Sequence, residues 1–193
     1  MDAVLARRGC GAIPVGEYKN MVGLGAENLV KSVVNAHRLN ASPGTVREIL
    51  NDYLLEYEKR GDPLTRAYEG VAETLDRLAS MPVKLGINSN KPQKQVASIA
   101  ERLFPGRFSA IIGNSGEFPL KPGPGGALRI ADLWNIRPSG IIFAGDSGVD
   151  MQTAENAGMY GAGALWGYRT REELAGAGAQ KLISSPLQLL AMI

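Results

Sequence analysis

From Gly70 to its end the chain alternates helix-patterned segments with short apolar runs, and that rhythm confines it to one class of fold. A helical face built from Val71, Leu75 and Leu78 leads to a strand-like run at 83–87. A helix around 96–103 leads to 110–112, and one around 127–133 leads to 141–144. After a helix around 151–156 come a strand near 161–165, a helix near 170–174, a strand at 181–183 and a final helix from Leu187. Strands separated by helices are joined by right-handed crossovers, so the expected product is an α/β fold with a parallel, doubly wound sheet. In such an open sheet, ligands sit outside the carboxyl ends of the strands. Chemistry is therefore expected just after strands.

The first sixty residues follow a different pattern, helical and without a convincing strand. Leu29, Val30, Val33, Val34 and His37 share one face at helical spacing. After Pro43, Val46, Ile49, Leu50, Tyr53, Leu54 and Tyr57 repeat at three and four residues, up to Arg60-Gly61, where glycine suits a helix stop. Residues 61–66 read as a linker. The expected organisation is a helical domain at 1–64 and an α/β domain at 65–193.

Composition removes several function classes. The 21 basic and 19 acidic residues give a net charge of +2 and form no basic block, so neither nucleic acid nor an anionic membrane is an expected partner. One cysteine, Cys10, allows no internal disulfide, and one histidine, His37, has no company for a metal cluster. No apolar run approaches membrane-spanning length, and Arg7-Arg8 precedes Gly-Cys-Gly rather than the apolar core of a signal peptide. The expected location is the cytoplasm.

Three loops carry candidate chemistry. The run Ile141-Ile142-Phe143-Ala144 suits a strand covered on both faces, and Gly145 would let the chain turn so that Asp146 projects from its end. Asp150 falls in the first turn of the next helix. Two hard carboxylates there suit Mg²⁺, which takes oxygen ligands beside phosphate groups. They also suit a helix N-terminus, whose dipole prefers negative charge, and spacing alone leaves both readings open. Ser89 and Asn90, in Asn88-Ser89-Asn90-Lys91-Pro92, stand where a hydroxyl and backbone amides could hold phosphate, or could simply cap the following helix. Lys121, in Pro119-Leu120-Lys121-Pro122-Gly123-Pro124, is either a restrained lysine that neutralises a phosphoryl oxygen or a surface lysine in a proline-rich loop.

In order, Ser89, Lys121 and Gly145-Asp146-Ser147-Gly148-Val149-Asp150 resemble the serine, lysine and Gly-Asp-x-x-x-Asp motifs of the haloacid dehalogenase-like superfamily. Asn90-Lys91-Pro92, Lys121-Pro122-Gly123-Pro124, Ala157-Gly158-Met159 and Trp166-Gly167-Tyr168-Arg169 resemble its phosphoglycolate phosphatase-like subgroup, and the likeness covers essentially the whole chain. The resemblance implies a Rossmann-like core, a helical cap closing over the active site, and a substrate-facing loop at Met21-Val22-Gly23-Leu24-Gly25. By the same resemblance, Ser89, Asn90, Lys121, Gly23 and Gly25 would bind the phosphorylated substrate, with Ser89 and Lys121 also serving catalysis, and Asp146 and Asp150 would hold Mg²⁺. The implied reaction proceeds through an aspartyl-phosphate, with a second aspartate as acid and base.

Those two aspartates belong to an Asp-x-Asp-Gly-Thr motif on the family's first core strand, and no Asp-x-Asp pair occurs in this sequence. That strand lies, in the family fold, between the one leading to Ser89 and the one leading to Asp146. The expectation is an incomplete core, with the flanking strands collapsed together, re-paired, or completed by self-association with a neighbouring molecule. A lost upstream segment or a late start site is expected, with a longer chain as the working enzyme. The leading functional expectation is a Mg²⁺-dependent phosphatase of small phosphorylated metabolites, inactive as written. The alternatives are a phosphosugar mutase and a non-catalytic remnant that binds phosphate or protein.

Overall fold

The computed structural model describes residues 1–39, 41–61 and 63–193, so Asp62 of the expected 61–66 linker lies outside them. The chain divides into two compact units, Met1–Thr65 and Arg66–Ile193. No helix among the described residues is long and apolar enough to cross a membrane.

The first unit contains α1 (Asp2–Ala6), α2 (Val15–Met21), α3 (Ala26–Ala36) and α4 (Pro43–Arg60), with no strand among its described residues. Helix α4 starts where Ser42 Oγ accepts from the Thr45 amide and proline occupies the first turn. It stops at Gly61, whose N–H still donates to the Tyr57 carbonyl and whose φ of 63° turns the chain out of the helix. The periodic apolar face of α3 divides between two clusters. Val30 and Val34 pack with Val4, Val46 and Ile49, while Leu29 and Val33 pack with Leu5 and Ile13. His37 ends α3 as its cap, and its Nε2 is buried without a hydrogen-bond partner among the described residues.

The second unit holds β1 (Gly86–Pro92), β2 (Ala110–Asn114), β3 (Ile142–Gly145), β4 (Tyr160–Ala164) and β5 (Lys181–Ile183), all paired in parallel. Between them run α5 (Val71–Ala79, before β1), α6 (Gln93–Leu103), α7 (Gly125–Trp134), α8 (Gly148–Ala157) and α9 (Arg171–Gly176). The expected helix from Leu187 is a 3-10 helix, Pro186–Met192, begun by a Ser185/Gln188 capping box. Strand β1 begins three residues later than expected. Its polar carboxyl half, Asn88-Ser89-Asn90, is strand rather than loop, with a register shift between Asn88 and Pro92.

The expected single sheet is two sheets, β1-β2 and β3-β4-β5. Strands β1 and β3 neither collapse together nor re-pair. Both line one cavity of about 1000 Å³, to which they present Gly86, Ile87, Asn88, Ile142, Phe143 and Ala144. As a result β3 is not covered on both faces: Ile142 and Phe143 are half-buried and Ala144 is exposed. The helices hold the two sheets apart. Ala127 and Ala131 of α7 pack against Ala154 and Ala157 of α8, and α7 also lies on β1 and β2 while α8 lies on β3 and β4. A close small-residue helix pair of this kind sets the spacing of the sheets beneath it, because packed interiors resist compression.

Candidate functional site

The carboxyl ends of β1 and β3 and the start of α8 meet at one end of the cavity, whose lining includes Lys121, Asp146 and Asp150. Lys121 is the bridge. Its Nζ donates to Asp150 Oδ1 at 2.6 Å and to the Asn88 carbonyl at 3.1 Å, and it lies 5.9 Å from the centre of the Phe143 ring. Its main chain is clamped from the other side. The Lys121 amide donates to Asn90 Oδ1 at 2.7 Å, and Asn90 Nδ2 donates to the Lys121 carbonyl at 3.1 Å. Asn90, expected to contact phosphate, is buried, and both ends of its amide serve the lysine's root.

Asp150 fulfils the helix-end reading in full. Ser147 caps α8: its Oγ accepts from the Asp150 amide, while its own amide and hydroxyl donate to Asp150 Oδ2 at 3.1 and 2.6 Å. With Oδ1 engaged by Lys121, both carboxylate oxygens of Asp150 have protein partners. Asp146 is different. Its Oδ2 accepts from the Tyr168 amide at 3.0 Å, and its Oδ1 accepts no hydrogen bond from the described residues.

Glycines make this packing possible. Gly145 does not provide a left-handed turn; its backbone is ordinary, and a Cβ there would lie 2.2 Å from Asp150 Cβ. Its missing side chain is space for Asp150. Likewise a Cβ on Gly167 would lie 2.1 Å from Asp146 Cβ. Gly126 lies under Asn88, whose Nδ2 is buried without a partner among the described residues.

Within β1, Ser89 Oγ accepts from the Lys91 amide at 3.1 Å, so its hydroxyl proton stays available to an oxyanion. Gly23 (φ 112°) and Gly25 (φ 90°) flank Leu24 between α2 and α3 in the helical unit. Two tyrosines to which the sequence assigned no role, Tyr68 and Tyr168, lie near Asp146. Burial first, then the nearby Tyr168 and the Asp146 carboxylate, push the Tyr68 phenol above its ordinary value.

No group of three or more His, Cys, Asp or Glu side chains suited to a metal occurs among the described residues. The donor set still fits Mg²⁺, which keeps several waters and commonly takes one or two carboxylates alongside phosphate oxygens. Asp146 Oδ1, which accepts no hydrogen bond from the described residues, could serve as a ligand oxygen, whereas both oxygens of Asp150 already have protein donors.

The comparisons with known proteins agree on the family. A family model described as haloacid dehalogenase-like hydrolase matches residues 1–164. A phosphoglycolate phosphatase from Xylella fastidiosa (strain 9a5c) is 28% identical over 173 residues, covering 89% of this chain and 74% of that protein. One from Escherichia coli (strain K12) is 33% identical over 130 residues, 67% of this chain and 50% of that protein. A solved haloacid dehalogenase-like family hydrolase from Streptococcus pneumoniae superimposes with a TM-score of 0.85 at 19% identity, covering 98% of this chain and 86% of that one.

Proposed function

The chain belongs to the haloacid dehalogenase-like hydrolases, and from that premise we propose that it contributes the binding half of a Mg²⁺-dependent phosphatase for small phosphorylated metabolites, phosphoglycolate foremost. The observation that carries the reading is Lys121 Nζ, anchored to Asp150 and the β1 carboxyl end within a site that also holds the open carboxylate oxygen of Asp146. Phosphoglycolate phosphatase relatives support the substrate.

Each side chain then has a task. Lys121 donates to a phosphoryl oxygen and screens its charge. Ser89 orients the phosphoryl group through its hydroxyl, and Asn90 holds Lys121 in place. Asp146 would ligate the cation directly, and Asp150 would steady it through water while keeping Lys121 aimed. Bound there, magnesium supplies positive charge against phosphoryl oxygens as they become more negative.

The attacking aspartate and the acid–base aspartate are not among this sequence's residues. The reading places them on a strand entering the cavity between β1 and β3. Strands pair at about 4.8 Å, so a single strand seated there would complete the hydrogen bonding of both free edges. In this reading the acids arrive beside Lys121 at the carboxyl end, where the reaction needs them. The single cysteine suits the cytoplasm as the place of action.

The test compares Mg²⁺-dependent phosphate release from phosphoglycolate by this chain, by a version carrying an upstream Asp-x-Asp strand, and by Asp146→Asn in the longer form. Turnover by the longer form alone, lost with Asp146→Asn, is expected. Turnover by the short form refutes the placement of the nucleophile. Phosphate moved between sugar positions with little release marks a mutase, and phosphate binding without turnover in either form marks a binding remnant.

A further inference from the structure

We infer that Gly167 and the Tyr168 amide are positioning elements that turn one oxygen of Asp146 toward the cation, an inference that rests on the magnesium reading of this site. The Trp166-Gly167-Tyr168-Arg169 segment follows β4, with α8 and β4 lying in sequence between it and the acid it touches. Tyr168 N–H donates to Oδ2 at 3.0 Å, which leaves Oδ1 as the oxygen with no donor among the described residues. Gly167 closes the other side. A Cβ there would stand 2.1 Å from Asp146 Cβ, 2.5 Å from Cγ and 2.2 Å from Oδ2, far inside van der Waals contact.

Those atoms lie at the root of the carboxylate, so a rotation of the tip cannot relieve the overlap. Asp146 itself, or the whole 165–169 turn, must move. Gly167 does not have a positive φ, so alanine there meets no backbone penalty of its own. The substitution therefore reports on Asp146 rather than on the turn's conformation. Tyr68 braces the same turn. Its phenol lies near Tyr168 and the Asp146 carboxylate, and it stands just ahead of α5, on the opposite side of β1 in sequence from the acidic motif.

A carboxylate with one oxygen tied and one presented is what a demanding octahedral cation needs. Mg²⁺ tolerates little error in ligand direction, so a rotated carboxylate is a poorer ligand although its charge is unchanged. Main-chain and shape constraints outside the ligand shell commonly change metal affinity by ten- to a hundredfold.

The experiment uses the whole chain and two readouts. The first is free of metal: the Tyr168 amide resonance in a ¹⁵N-labelled sample. It is expected to move in Asp146→Asn, which alters its acceptor, and to move in Gly167→Ala, which displaces that acceptor. The second is Mn²⁺ affinity measured by electron paramagnetic resonance, as a spectroscopic substitute for Mg²⁺. Asp146→Asn should abolish binding, Gly167→Ala should weaken it at least tenfold, and Tyr168→Phe, which keeps the amide, should stay within threefold of wild type. Should Gly167→Ala not fold, Tyr168→Pro, which deletes the N–H, is expected to give the same tenfold loss. A Gly167→Ala protein with an unmoved Tyr168 amide, or with wild-type Mn²⁺ affinity, overturns the inference. Mn²⁺ affinity unchanged by Asp146→Asn refutes the metal reading instead, and with it the use assigned to Gly167.

Discussion

Replacing Lys121 by methionine isolates the contact on which the site is built. The side chains keep similar length, and the variant loses the 2.6 Å ion pair with Asp150 and the donation to the Asn88 carbonyl. The paired side chains are only 15% and 9% exposed, so solvent screens the pair weakly. Removing one partner of a buried pair destabilises by about 3–5 kcal/mol, chiefly because the other charge is left uncompensated. Asp150 keeps two donors from Ser147 and the N-terminus of α8, which puts the expected loss at the low end, about 3 kcal/mol. For a chain of this length that corresponds to a fall in Tm of roughly 6–12 °C. Both tryptophans, Trp134 and Trp166, lie in the α/β unit, so urea unfolding followed by their fluorescence reads that unit alone. Asp150→Asn and the double variant complete a cycle, with an expected coupling of about 2 kcal/mol. A loss under about 1 kcal/mol, or additivity within about 0.5 kcal/mol, would show that the pair does not hold β1 to α8.

Gly145→Ala should destabilise the same unit by more than about 1–3 kcal/mol, because its Cβ would fall 2.2 Å from Asp150 Cβ and push the start of α8 outward; an unchanged urea midpoint contradicts this. Ser147→Ala removes an N-cap and should lower stability by about 1 kcal/mol without altering the denaturant slope. In the helical unit, Arg7 first and Arg60 second hold the Glu56 carboxyl below its ordinary value of 4.5. Folding thus gains from ionised Glu56 above that value, and the gain disappears as pH falls through the lowered pKa. Glu56→Gln should therefore flatten the acid limb of a stability profile followed by helical circular dichroism, and an acid limb identical to wild type would rule this out.

How far the sequence could be read depended on the range of the interaction. Helices α3 and α4 were legible because three- and four-residue spacing puts Val30 with Val34 and Val46 with Ile49 on single faces, and that spacing is local. The parallel α/β class was equally legible from the alternation after Gly70. Strand β1 was misplaced because Val83 and Leu85 look like core, whereas they line the cavity and the polar Asn88-Ser89-Asn90 run is the strand's functional end. Asp146 and Asp150 were visible as a pair of acids, but their division of labour was not. That division depends on Lys121, Tyr168 and Gly167, which lie between 21 and 29 residues away along the chain from the acid each one touches.

By itself, then, the sequence determined the helices, the alternation that makes a parallel core, the order of serine, lysine and acidic motifs, and the lack of any Asp-x-Asp pair. Periodicity and composition act over one or two turns of chain, and ordered motifs survive in a string of letters. Only the tertiary structure decided that the sheet is two sheets held apart by α7 and α8, that Asp150 serves Lys121 and its own helix, and that Asp146 keeps one oxygen open. These outcomes depend on which distant atoms fill the same few cubic ångströms, and packing at that range leaves no periodic trace in the residues that take part.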